Sequence, residues 1–149
     1  MVIKMKENFE LVEHIYQDSE MASFTIRDLL GRLKEKDNKI TKYLEDILHE
    51  YERFSEETYN ILKDNNQEVT AESSMTKWMA KMGIKKEVES DNSDSSIADM
   101  LIKGISSGSI DMEKKINDYE KEVDKEYLKL AKNFLKFQEN TIESLKKYL

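Results

Sequence analysis

Apolar residues recur every three or four positions along most of the chain, the spacing that keeps one side of an α-helix against a partner. This pattern runs through residues 5–33 and 40–61, and again through 97–119 and 123–149. The segment that begins at residue 97 follows a run of serine and aspartate residues suited to capping the start of a helix. The pattern predicts one all-α domain over residues 1–149, with long helices at 3–34, 38–64, 94–119 and 123–148.

The connection between the second and third long helices is unusually long. It comprises the 28 residues 65–92, whereas neighbouring antiparallel helices in a bundle are usually joined by about two to eight. A helix of about 26 residues is close to 40 Å long, so this connection can pass from one end of a bundle to the other. A further helical pattern lies within it at 74–84. We therefore predict a four-helix bundle in up, down, down, up order, with a long crossover that carries a short helix.

Two helical hairpins joined by a long crossover resemble the ferritin-like fold. More narrowly, the runs at residues 15–21, 75–83 and 93–105 resemble those of uncharacterised small bacterial ferritin-like proteins. This resemblance implies the fold but no established activity. Enzymatic members of the ferritin-like class hold two metal ions with a Glu from each of two helices and a Glu-x-x-His motif from each of the other two.

The chain departs from that ligand set. The second helix offers Glu50, but Arg53 stands where the motif needs a histidine, and an arginine cannot bind a cation. The fourth helix offers Glu139 with Ile142 in the histidine position, and the corresponding part of the third helix, residues 104–108, has no carboxylate. The pattern indicates a degenerate di-iron site and no resident cofactor. The alternative hypothesis is an atypical iron or manganese centre formed by Glu20, Glu50 and Glu139.

Composition excludes several other classes of function. The sequence contains no cysteine, so it has no thiol nucleophile and no zinc-thiolate site. Its net charge of −7 disfavours nucleic acid as a partner, because phosphate binding needs a concentrated basic surface. No stretch approaches the roughly 18 apolar residues of a membrane span, and glutamates interrupt the first 14 residues. We expect neither a transmembrane segment nor a signal peptide, and a cytoplasmic location.

The two histidines, His14 and His49, fall on different predicted helices. His14 and Asp18 are four residues apart and can touch on one face of a helix. Such a pair forms a surface hydrogen bond more often than a catalytic dyad.

The middle of the third long helix has unusually small side chains, because it contains Gly104 and Gly108. Small residues at this spacing allow another backbone or side chain to approach closely. We expect bulky neighbours to fill this space, with a small ligand cavity as the alternative. The aromatic residues available to fill it are Tyr16, Tyr51, Phe54, Phe134 and Phe137.

The crossover segment 75–86 is locally basic and carries the only tryptophan of the chain. Its larger apolar residues fall on one helical face, with lysines elsewhere. The pattern is typical of a short helix that packs on the bundle through flexible methionines. It is also typical of a helix that binds a membrane surface or a partner protein. The residues of this possible partner-binding face are Met75, Trp78, Met79 and Met82.

Taken together, these features favour a non-enzymatic ferritin-like bundle that acts as a binding or protein-interaction module. Apolar surface left on the outer helix faces would allow a homodimer. The identity of a small ligand or partner protein does not follow from the sequence, and neither does the oligomeric state.

Overall fold

The computed structural model describes the backbone of residues 2–70 and 74–149, together with their side chains except those of residues 2–5, 74 and 78. Within these ranges the chain is all-helical, without a β-strand, which confirms the all-α part of the predicted fold class. The helices are α1 (Val2–Arg32), α2 (Thr41–Asp64), α3 (Ser74–Ser90), α4 (Asp94–Tyr119) and α5 (Lys125–Leu145), followed by a 3₁₀ turn at Lys146–Tyr148.

Several helix boundaries differ from the predicted ones, and two of the differences have a clear physical reason. The crossover helix continues to Ser90 rather than stopping at residue 84, because Ile84 and Val88 are both buried one turn apart and hold this stretch against the core. Helix α2 begins at Thr41 rather than residue 38. The amide of Asn38 instead donates to the backbone oxygen of Asn92, at 2.8 Å, and so joins the start of α2 to the start of α4.

Contacts along α1 give the direction of the other long helices. The rings of Tyr16 and Tyr59 lie 6.2 Å apart, and Arg27 pairs with Glu52 at 3.4 Å. Residue numbers therefore rise along α1 as they fall along α2, so these helices are antiparallel.

Helices α4 and α5 form a second antiparallel pair against α1. Tyr119, at the end of α4, donates to Glu10 near the start of α1 at 2.6 Å. Helix α4 therefore opposes α1 and runs in the same direction as α2. Helix α5 runs parallel to α1, because Asn8 donates to Asp124 at the start of α5 while Asp18, further along α1, contacts Gln138 further along α5.

The long connection follows the length of α1. Gln17 donates to the backbone oxygen of Thr70 at 3.1 Å. Further along, Lys77 pairs with Glu20 at 3.1 Å and Arg32 donates to the backbone oxygen of Lys81 at 3.4 Å. The connection thus leads from the end of α2 to the beginning of α4, and α3 covers one side of α1.

The core is built mainly from apolar residues of all five helices. Its aromatic part joins α2 to α5, where the rings of Tyr51 and Phe137 lie 4.8 Å apart and those of Phe54 and Phe134 lie 5.0 Å apart. Tyr16 belongs to a second, smaller cluster with Leu62 of α2. In the described part of the chain, no helix is both long and apolar enough to cross a membrane.

Candidate functional site

A polar pair lies among the apolar side chains between α1 and α5. The amide of Gln138 donates to a carboxylate oxygen of Asp18 at 3.0 Å, and Gln138 is completely buried. Asp18 reaches this position because it lies on the same side of α1 as the buried Ile15 and the half-buried Ala22, one turn away in either direction.

Gly108 of α4 makes room for this pair. A Cβ atom at Gly108 would lie 2.8 Å from a carboxylate oxygen of Asp18 and 3.1 Å from the amide nitrogen of Gln138. At Gly104, one turn earlier, a Cβ atom would meet nothing within 4 Å. The expectation that aromatic rings fill the space at both glycines is therefore wrong. Polar groups occupy the space beside Gly108, and the space beside Gly104 is open.

Next to Asp18 there is a cavity of about 470 Å³, bounded mainly by α1, α3 and α4. We call it the Asp18 cavity. Its volume falls within the range of about 300–1,000 Å³ that is usual for small-molecule sites. Gly83 of α3 and Gly104 of α4 are part of its wall. Apolar side chains that line it include Ala22, Ile26, Ile84, Met100, Leu101 and Ile105.

The titratable residues in the described lining of this cavity are Asp18, Tyr51 and Glu87. Burial raises the pKa of Asp18, the hydrogen bond from Gln138 opposes the rise, and the nearby Asp111 adds to it, so that the pKa is about 6. Burial also raises the pKa of Tyr51, with a smaller contribution from the charge of Asp18. Tyr51 therefore stays neutral, and the cavity carries negative rather than positive charge at neutral pH.

Among the residues that the structure describes, Asp18 has no cationic partner, and Gln138 supplies its one hydrogen bond. The amide oxygen of Gln138 is buried without a hydrogen-bond partner in the described part of the chain. Buried polar groups are nearly always paired, so a carboxylate with a single neutral donor beside an unpaired carbonyl is unusual. This arrangement is what we would expect of a site that is completed by a ligand.

His14 does not form the predicted hydrogen bond with Asp18, whose partner is Gln138. The Nε2 atom of His14 is buried without a partner, and burial together with Lys115 lowers the pKa of the imidazole. His49 is exposed on α2. The structure thus gives no support to a His14–Asp18 dyad.

The three carboxylates considered as metal ligands are engaged or exposed elsewhere. Glu20 pairs with Lys77 at 3.1 Å, and Glu50 pairs with Arg53 at 2.9 Å. Glu139 is exposed on α5. No group of three or more histidine or carboxylate side chains in the described residues is arranged to hold a metal ion. These positions therefore do not fit an iron or manganese centre.

On the crossover helix, Met75 and Met79 are 65% and 63% exposed, and Met82 is 43% exposed. The side chain of Trp78, the fourth member of the possible partner-binding face, lies outside the described residues. The described contacts of α3 with the core are made by Ile84 and Val88 instead. The three methionines are thus accessible, but nothing in the structure shows what covers them.

A small ligand cavity beside Gly104 is the alternative that the sequence leaves open. The place of Asp18 in its wall is not predicted, although the sequence contains a signal for it. The residues Leu11, Ile15, Asp18, Ala22, Ile26 and Leu29 continue a three- and four-residue spacing in which only Asp18 is polar. Gln138 interrupts the apolar stripe of α5 in the same way. A carboxylate and an amide at apolar-stripe positions of two helices indicate a buried polar contact.

Comparisons of the chain with protein-family models, with curated proteins and with solved structures gave no match.

Proposed function

We propose that this chain is a non-enzymatic, ferritin-like helical bundle that binds a small molecule in the Asp18 cavity. The observation that carries the proposal is the partly buried carboxylate of Asp18, which faces this cavity and has no cationic partner among the residues that the structure describes. An ionised group in such a place lowers stability unless something pairs with it. A role in binding explains why the position is not apolar.

The ferritin-like part of the proposal rests on the order of the helices. Contacts make α1 and α5 parallel to each other and opposite to α2 and α4. The connection between α2 and α4 runs along α1, as a long crossover must in that fold. The composition of the cavity supports binding rather than catalysis, because its described lining offers no imidazole, thiol or amine to act beside Asp18.

A neutral apolar probe tests the proposal directly. We expect 1-hexanol to raise the melting temperature of the wild-type protein, because a ligand that binds only the folded state stabilises it. Gly104→Phe is expected to abolish this response by filling part of the cavity, because Gly104 belongs to the cavity wall and a Cβ atom there has no neighbour within 4 Å. Ser107→Phe is the matched control, because it places the same side chain on an exposed part of α4.

The proposal fails if 1-hexanol does not stabilise the wild-type protein. It also fails if the Gly104→Phe and Ser107→Phe proteins respond equally, because binding would then occur outside the cavity.

No observation favours the alternative of an iron or manganese centre at Glu20, Glu50 and Glu139. We expect protein purified without a metal-affinity column to contain far less than one equivalent of either metal. A near-stoichiometric content that is lost in the Glu20→Ala, Glu50→Ala double variant would restore that alternative.

A further inference from the structure

We propose that the natural ligand of the Asp18 cavity is an amine, whose ammonium group pairs with the carboxylate of Asp18 while its apolar body fills the cavity. This inference rests on the proposed function and specifies the chemical class of the ligand.

The carboxylate of Asp18 accepts fewer hydrogen bonds than it can. An ionised carboxylate can accept about four hydrogen bonds. Asp18 accepts one from Gln138, and among the described residues no lysine, arginine or histidine forms an ion pair with it. An ammonium group carries three hydrogen-bond donors and a positive charge, so it supplies both the additional donors and the cationic partner that Asp18 lacks among the described residues.

The charge around the cavity is negative. Among the described residues, the titratable groups that line the cavity or shift the pKa of Asp18 are acidic or neutral at pH 7. Asp111 of α4 repels the charge of Asp18, Tyr51 of α2 stays protonated, and Glu87 of α3 belongs to the cavity wall. This field favours a cation and repels a carboxylate or a phosphate.

The remainder of the lining is mainly apolar. Besides Thr25, Tyr51 and Glu87, it consists of aliphatic residues and methionine, together with two glycines that leave space. A small inorganic cation would leave that volume empty, and a polyhydroxylated molecule would lose its hydrogen bonds there. The combination of a largely apolar wall with the carboxylates of Asp18 and Glu87 suits a primary amine with a hydrocarbon body.

Three probes of similar shape distinguish this ligand class from the others. Isothermal titration at pH 7.5 would compare hexylamine, 1-hexanol and hexanoate on the wild-type protein. We expect hexylamine to bind at least about tenfold more tightly than 1-hexanol, because only the amine pairs with the carboxylate, and hexanoate to bind most weakly.

Asp18→Asn is expected to remove the preference for the amine while leaving the affinity for 1-hexanol within about threefold, because the shape of the cavity is kept. Glu139→Gln removes one negative charge from an exposed position on α5 and should preserve the preference. Below about pH 6 the preference should also decline, because Asp18 takes up a proton there and no longer attracts a cation.

Each other result overturns the inference in a recognisable way. Equal binding of hexylamine and 1-hexanol, with both lost in Gly104→Phe, would leave a ligand-binding cavity but refute the amine. Tighter binding of hexanoate, strengthening as the pH falls, would show that a protonated Asp18 donates to an anionic ligand. An amine preference that survives in Asp18→Asn would place the cation elsewhere. Absence of binding by all three probes would refute the proposed function as well.

Discussion

Replacing Asp18 by asparagine is expected to stabilise the fold at neutral pH while removing the preference for an amine. The substitution keeps the size of the side chain, and the new amide oxygen can still accept the hydrogen bond from Gln138. What it removes is the cost of holding a negative charge in a partly buried position. Stability and ligand recognition should therefore change in opposite directions.

The magnitude follows from the pKa of Asp18, which is about 6 in the fold against an ordinary value of 3.8. Below about pH 4 the carboxyl is protonated in both states and contributes no pH dependence. Between about pH 4 and 6 the unfolded chain gives up the proton while the folded chain retains it, so wild-type stability falls as the pH rises. At about 1.4 kcal/mol per pKa unit, the loss is complete above pH 6 and amounts to at most about 3 kcal/mol. Water that enters the cavity will reduce this figure.

The assay is urea unfolding followed by circular dichroism at four pH values between 4 and 7.5. The stability difference between Asp18→Asn and wild type should grow by about 1–3 kcal/mol over this range, in favour of the variant. Any offset that is the same at every pH reflects the change of chemical group and is not part of the prediction. Glu139→Gln removes an exposed charge and should show a pH-dependent difference below about 0.5 kcal/mol.

Parallel stability curves for Asp18→Asn and wild type would refute this reasoning, because they would mean that Asp18 titrates as it does in the unfolded chain. A variant that loses stability as the pH rises would refute it more strongly. Either result would imply that the carboxylate is well solvated or paired, and would remove the main support for the proposed site.

Four further substitutions test the surrounding structure by urea unfolding. Gly104→Ala should stabilise the protein by about 0.5–1 kcal/mol, because alanine favours a helix and its Cβ meets open space. Gly108→Ala should instead destabilise it by about 1–2 kcal/mol, because its Cβ displaces the buried polar pair, and equal stabilisation by both changes would contradict this. Asn8→Ala should cost about 1–3 kcal/mol, because Asn8 is buried and both donates to Asp124 and accepts from its backbone N–H; a loss below about 0.5 kcal/mol would be inconsistent with that. His14→Gln should flatten the loss of stability below about pH 6.5, because the lowered pKa of His14 means that the folded state resists the proton that the unfolded chain accepts; an unchanged slope would contradict this.

The helices could be predicted because their signal is local. Each long helix repeats its apolar residues over about six turns or more. Glycine does not mark the connections, because all four glycines lie within helices. The length of the crossover helix could not be predicted in the same way. Its continuation past Gly83 depends on Ile84 and Val88 being buried against other helices, and that burial is a property of the packed molecule.

The candidate site was harder to predict because its parts come from separate helices. Asp18 and Gln138 are 120 residues apart in the sequence. On α1, Asp18 and Glu20 lie on opposite sides of Ser19, about 100° away in each direction. Periodicity alone does not say which of these carboxylates faces the hairpin of α4 and α5. In the structure, Asp18 contacts Gln138 of this hairpin, whereas Glu20 forms an ion pair with Lys77 of the crossover helix.

The three residues of the site are interdependent, and this bears on why they are present. Gly108 weakens its helix, Asp18 is destabilising when ionised, and Gln138 is buried with one unpaired oxygen. Apolar residues in the same places would give a more stable bundle, because well-packed hydrophobic groups commonly match or exceed buried polar ones in stability. A purely structural role therefore explains the set poorly. A ligand that brings a positive charge to Asp18 makes the same arrangement favourable. The stability of the bound protein should then no longer fall as the pH rises.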